Sequence, residues 1–160
     1  MHILLATDAD WIVDEITAAL GGPDTSFTVC RDGRAVSTVV AKRQPDLVIT
    51  DLQVGSMGGM AISLALRNDE SLGTGPRVPI LMLLDRRADV YLAQRSQADA
   101  WLIKPLDALR LRRAALAAID GIGVFEGVPA VPLTPIEELE NGGDDTETEH
   151  SPEEEPAPAG

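Results

Sequence analysis

Residues 45–59 read PDLVITDLQVGSMGG. Leu47, Val48 and Ile49 form a short apolar run, with Pro45 and Asp46 before it and a glycine-rich stretch after it. A run of that length between turn residues suits a strand buried on both faces, as in a parallel sheet. It ends at Thr50 and Asp51, so a carboxylate stands where the strand leaves the core. The flanking sequence repeats the pattern. Residues 3–6 are apolar and stop at Thr7-Asp8, residues 79–84 (PILMLL) stop at Asp85, and residues 100–103 stop at Lys104-Pro105. Residues 27–30 make a further short strand. Between these runs, apolar residues recur at three- and four-residue spacing, which predicts helices over 10–20, 33–43, 59–67, 87–96 and 105–119. Asp8 or Asp10 is the expected cap of the first helix, and Gly21-Gly22-Pro23 its stop.

Five strands alternating with five helices over about 120 residues imply an α/β fold with a parallel sheet covered by helices on both faces. Ligands of such sheets gather at the carboxyl ends of the strands. If strands one, three, four and five are neighbours, Asp8, Asp51 and Lys104 share one cleft. Two adjacent carboxylates repel, and a hard divalent cation such as Mg²⁺ relieves that repulsion through carboxylate oxygens. A carboxylate with a metal beside it and a lysine facing it suits phosphoryl capture, because both cations neutralise the transferring oxygens. Asp51 is then the nucleophile, forming an acyl phosphate. Taken singly, each residue has a plainer reading: Asp8 as a helix cap, Asp51 as a loop acid, Lys104 as a solvated surface lysine.

Composition narrows the function further. The chain has 160 residues and a net charge of −13, which disfavours nucleic acid and anionic membranes as partners. Apolar residues are 44 % but aromatics only 3 %, so the core is expected to be aliphatic. Cys30 is the single cysteine, which excludes a disulfide framework or zinc cluster and reads as a small buried hydrophobe. No run approaches the ~20 apolar residues of a membrane span, and the N-terminus lacks the basic region of a signal peptide, so a cytoplasmic location is expected. Residues 1–120 carry 15 acids and 13 bases, while residues 121–160 carry 11 acids and no base. The expected division is a domain over 1–120 and an acidic, proline-rich disordered tail over 121–160. Within that tail LTPIEELE predicts a short helix near 135–140, with Thr134 as N-cap, Pro135 at the first helical position and Glu137 completing a capping box.

The three segments ILLATDAD, PDLVITDLQVGSMGG and ADAWLIKP, in this order and spacing, resemble the receiver domain of bacterial two-component response regulators, over about residues 2–119. The resemblance implies a flavodoxin-like (βα)5 fold with strand order 2-1-3-4-5. It also implies phosphorylation by a histidine kinase in the presence of Mg²⁺. Asp51 becomes the phospho-acceptor, Asp8 a metal ligand, Gln53 a metal ligand through its backbone carbonyl, and Lys104 the phosphoryl-contacting lysine. Three departures stand out. Thr7 replaces the acid that usually acts on the metal through water. Leu84 stands where the family places a switch Thr or Ser, and Leu cannot donate the hydrogen bond, worth roughly 1.5–3 kcal/mol, that the phosphoryl oxygen receives there. Gly55 replaces a proline common in the loop after the acceptor, which makes a more flexible loop expected. The aromatic partner of the switch is present as Trp101, which packing at a sheet edge would equally explain.

Two readings follow. The first is a single-domain response regulator that takes a phosphoryl group on Asp51 and signals by protein–protein contact, with no DNA-binding module. Its contact surface is the face of the fourth helix, fifth strand and fifth helix, or the tail. Its only chemistry is self-catalysed phosphoryl transfer and hydrolysis. That face is expected to be basic, with Arg86, Arg87, Arg95, Arg110, Arg112 and Arg113, suiting an acidic partner or the chain's own tail. The second reading is a pseudo-receiver, an interaction or assembly subunit independent of phosphorylation, favoured by Thr7 and Leu84. A nucleotide-binding enzyme on the same fold fits poorly, because Thr-Asp-Ala-Asp after strand one repels phosphate and offers no glycine-rich cradle.

Overall fold

In the computed structural model, which describes residues 1–129, the quoted run is strand β3, Leu47–Asp51, buried along its whole length. Around it lie β1 (His2–Ala6), β2 (Ser26–Cys30), β4 (Ile80–Leu84) and β5 (Ala100–Ile103). The five strands form one parallel sheet in the order β2-β1-β3-β4-β5. The helices are α1 (Asp10–Leu20), α2 (Val36–Arg43), α3 (Gly59–Leu72), α4 (Val90–Arg95) and α5 (Ala108–Ile119). The sheet and its strand order are those expected.

Side chains alternate across the sheet as the strand period of two requires. Ile3, Leu5, Leu47, Ile49, Leu81, Leu83 and Leu102 face α1 and α5. Leu4, Ala6, Val48 and Ile80 face α2 and α3. Met82, Leu84 and Trp101 form a third apolar group with Leu52 and with Val90 and Ala93 of α4. The core is aliphatic apart from Trp101, and Cys30 is buried in it, its thiol pKa raised by that burial.

Several boundaries differ from expectation for identifiable reasons. Helix α3 runs past Arg67 to Leu72, because its stop is Gly73, which takes φ 71° and closes the helix with its N–H on the Asp69 and Glu70 carbonyls. The segment expected as one helix over 33–43 opens as a 3-10 turn, Gly33–Ala35, capped by the Asp32 side chain. The fourth helix likewise opens as a 3-10 turn, Arg87–Asp89. Helix α5 begins after Pro105, where Asp107 accepts from the N–H groups of Leu109 and Arg110. Neither Asp8 nor Asp10 caps α1. Its N-cap is Ala9, without a side-chain bond, because the Asp8 carboxylate is drawn to the loop after β3.

The expected boundary at residue 120 also falls short: the first unit runs Met1–Val128. Apolar Val124 and Phe125 return to the sheet edge beside β5, which composition dominated by the later acidic run concealed. The expected helix at 135–140 and most of the acidic tail lie outside the described residues. No helix among those described is long and apolar enough to cross a membrane.

Candidate functional site

The order β2-β1-β3-β4-β5 puts the carboxyl ends of β1, β3, β4 and β5 side by side, and each contributes a charged or polar residue at one mouth. Asp51 closes β3 and is 3 % exposed. Lys104 follows β5, and its Nζ donates to Asp51 Oδ1 at 2.8 Å. The same ammonium donates to Asp85 Oδ1 at 2.7 Å, at the end of β4. Burial raises the Asp51 pKa above the usual carboxylate value, and the hydrogen bond and charge of Lys104 offset this only in part. Burial also pulls the Lys104 ammonium down, but hydrogen bonds to Asp51 and Asp85, with their charges, outweigh it and leave its pKa raised. The lysine is therefore held as a cation between two carboxylates.

Asp8 reaches the mouth from β1. Its Oδ2 accepts from the Gly55 N–H at 3.0 Å. A proline at this position has no N–H to give, so the glycine that departs from the family's pattern makes the bond that positions Asp8. A Cβ on Gly55 would stand 3.0 Å from the same Oδ2, so a larger residue here requires the Asp8 carboxylate to shift. The expected flexibility is countered by a second tie, from the Ser56 hydroxyl to the Asp32 carboxylate. Gln53 is exposed on this loop and its N–H points to Asp51 Oδ1 at 3.4 Å. Thr7 is buried, and its hydroxyl accepts from the Ala9 N–H at 3.2 Å. With Thr7 in place of a third acid, no group of three His, Cys, Asp or Glu side chains converges here or elsewhere among the described residues.

Asp85 has no role assigned from the sequence, while Trp11 is expected only to lie near the site. Asp85 reads there as a strand-end acid, and only the β4–β5 pairing brings it onto Lys104. Trp11 is half exposed on the first turn of α1, with Lys104 Nζ 5.5 Å from its ring centroid. No local pattern in the sequence signals the Asp85–Lys104 contact.

Leu84 is fully buried in the apolar group shared with Trp101 and α4. Trp101 is 5 % exposed, and its indole N–H donates to the Glu126 carbonyl at 2.9 Å. Four of the six arginines expected on the basic face have specific partners. Arg110 is paired with Glu126, Arg86 with Asp89, Arg95 lies over the Tyr91 ring, and Arg112 turns away to the Ala19 carbonyl of α1.

Residues 3–116 match the sequence model described as the response regulator receiver domain. The chain is 33 % identical over 106 residues to the DNA-binding response regulator MtrA of Mycobacterium tuberculosis, an alignment covering 65 % of this chain and 44 % of that protein. It thus spans under half the length of these DNA-binding relatives. It is 30 % identical over 125 residues to a response regulatory protein of the same organism, covering 74 % of this chain and 91 % of the relative. Among solved structures, the receiver domain of a histidine kinase from Syntrophus aciditrophicus superposes with a TM-score of 0.65 at 21 % identity, over 83 % of this chain and 98 % of that one. The receiver domain of sensor kinase PA1611 from Pseudomonas aeruginosa, described with a magnesium ion in its active-site cleft, superposes at 0.63 and 22 % identity, over 74 % and 97 %. By its sequence match, the order of its strands and the arrangement of acids and lysine at their carboxyl ends, this chain belongs to the response regulator receiver domain family.

Proposed function

We propose that Asp51 is a phosphoryl acceptor within a two-component system, with a histidine kinase as donor. The observation that carries this reading is the ion pair between Asp51, buried at the end of the central strand, and Lys104, held cationic beside it. In the transfer, an Asp51 oxygen attacks the donor's phosphorus. The phosphorus–nitrogen bond of the phosphohistidine breaks, the imidazole leaves with a proton, and an acyl phosphate remains on Asp51. Lys104 exchanges its bond to Asp51 for one to a phosphoryl oxygen, in competition with Asp85.

Asp8, Asp51 and the Gln53 carbonyl are the proposed holders of Mg²⁺. Two carboxylates and a carbonyl are hard oxygen donors of the number that Mg²⁺ takes while keeping several waters. When bound, the ion neutralises negative charge on the phosphoryl oxygens. The half-exposed Trp11 shields one side of the mouth. Output passes to a protein target by contact with the face of α4, β5 and α5.

A specific observation also favours the second reading, a receiver fold used as a phosphorylation-independent interaction subunit. Leu84 fills the switch position with a buried alkyl chain, and Trp101 is fastened by a hydrogen bond to Glu126. Tryptophan emission separates the two. Trp11 lies over Lys104, so Mg²⁺ followed by beryllofluoride, a stable mimic of the acyl phosphate, should change its emission saturably. Asp51→Asn should abolish the change. Flat emission together with calorimetry showing no Mg²⁺ binding excludes the acceptor reading and leaves the interaction subunit.

A further inference from the structure

Strand β5 is the last strand of the sheet, so its outer N–H and C=O groups need partners or water. The chain supplies them after α5. Gly121 turns at φ 76°, and residues 124–126 then run parallel to β5. The Trp101 N–H donates to the Val124 carbonyl at 2.9 Å, and the Glu126 N–H approaches the Trp101 carbonyl at 3.4 Å. The Phe125 ring lies on the Trp101 indole, centroids 4.6 Å apart. The Glu126 side chain does the most. It takes the Ile103 N–H at 2.8 Å, and both its oxygens receive the Arg110 guanidinium, with Nη2 at 2.6 Å from each. Gly127 then passes so close to β5 and α4 that a Cβ would sit 3.0 Å from Val90 and 3.1 Å from Ile103.

Every specific demand of that edge is therefore met by one short pattern: an extended backbone, an aromatic ring, then a carboxylate, then glycine. Backbone pairing there is short, and the hold comes mainly from the Glu126 and Phe125 side chains. The segment makes a single bridge, and Phe125 remains 47 % exposed. We propose that the β5 edge with Trp101 and Arg110 is a strand-addition site for an extended aromatic–acidic segment of a partner protein, and that residues 124–126 are a resident occupant which such a segment displaces. Recognition is by backbone pairing along β5, stacking on Trp101 and a bidentate carboxylate on Arg110. The short tether to α5 holds the resident at an effective concentration in the millimolar range, so an incoming segment binds measurably only when it outcompetes that or the resident is weakened. This holds whether or not Asp51 accepts a phosphoryl group.

The test uses the full chain carrying Phe125→Ser and Glu126→Lys, with a labelled peptide of residues 121–129 as probe. The peptide should bind this variant at least about tenfold more tightly than the unaltered chain. Replacing its Phe or Glu by Ala should abolish binding, as should adding Arg110→Glu to the variant. Hydrogen exchange on the unaltered chain should show the Trp101 and Ile103 amides protected. No binding by the weakened variant, or unprotected amides in a folded unaltered chain, overturns the proposal. A dimer of the unaltered chain that the peptide dissolves would make a second copy the occupant and overturn the partner assignment.

Discussion

At the scale of single residues, the mouth of the sheet is governed by competition for two groups, the Lys104 ammonium and the Asp51 carboxylate. Asp85 draws on the ammonium from a position 37 % exposed, where an ion pair contributes ~1 kcal/mol or less. Asp85→Ala should therefore strengthen beryllofluoride capture modestly, by roughly two- to fivefold, in a fluorescence titration at fixed Mg²⁺. Asp51 imposes a pH dependence. Its folded pKa is raised by burial above the ordinary 3.8, so the stability it contributes is full below that value and is lost as pH rises through the folded pKa. Metal binding needs the ionised form and expels the proton. Mg²⁺ affinity should thus begin to fall at a pH above the ordinary carboxylate value as the solution is acidified. Calorimetry in buffers of different ionisation heat should detect the released proton in the unaltered chain and lose it in Asp51→Asn.

At the scale of elements, the sheet was legible because its strands are short apolar runs cut off by polar residues, and each cut-off sets a charged side chain at the same edge. The Asp51–Lys104 pairing was legible for that reason, from 53 residues apart. Asp85 was not, because a lone acid after a strand carries no local sign of the lysine that meets it. The strap at 121–128 was missed because Val124 and Phe125 are too few to show a period, and the paired strand is a single bridge. The β4 terminus illustrates how packing overrides a family's usual chemistry. Leu84 is buried between Trp101 and α4, so Leu84→Thr exchanges apolar contact for a hydroxyl in an apolar setting. It should destabilise the fold by about 2–4 kcal/mol in urea denaturation. It should also slow the hydrolysis of any acyl phosphate formed on Asp51, by supplying a donor to the phosphoryl oxygen.

At the scale of the whole molecule, the two edges of the sheet hold charge in opposite ways. The carboxyl edge sets Lys104 between Asp51 and Asp85, with Asp8 tied to the Gly55 N–H beside them, an arrangement open to a cation or a phosphoryl group. At the amino edge the charges before β4 and β5 are paired around Arg67, whose side chain is 8 % exposed on α3. Its guanidinium donates to the Val78 carbonyl before β4, to the Gln97 carbonyl and Asp99 carboxylate before β5, and to Glu70 on its own helix. Asp99 in turn accepts from the Ile80 N–H at 2.7 Å and pairs with Arg77. One planar, permanently charged group thus joins α3 to the starts of two strands, a task for which lysine lacks the donors. Because Arg67 is buried at the centre of the network, removing it leaves the Val78 and Gln97 carbonyls and the Asp99 carboxylate short of a donor. Arg67→Met, which keeps the apolar stem, should cost about 3–5 kcal/mol in urea denaturation. Arg67→Lys should recover only part of that loss, because one ammonium cannot reach all four partners. Both variants should retain Mg²⁺ affinity wherever they remain folded, since Arg67 makes no contact with the carboxyl edge. Loss of metal binding in a folded Arg67→Lys chain would show that the two edges are coupled through the sheet.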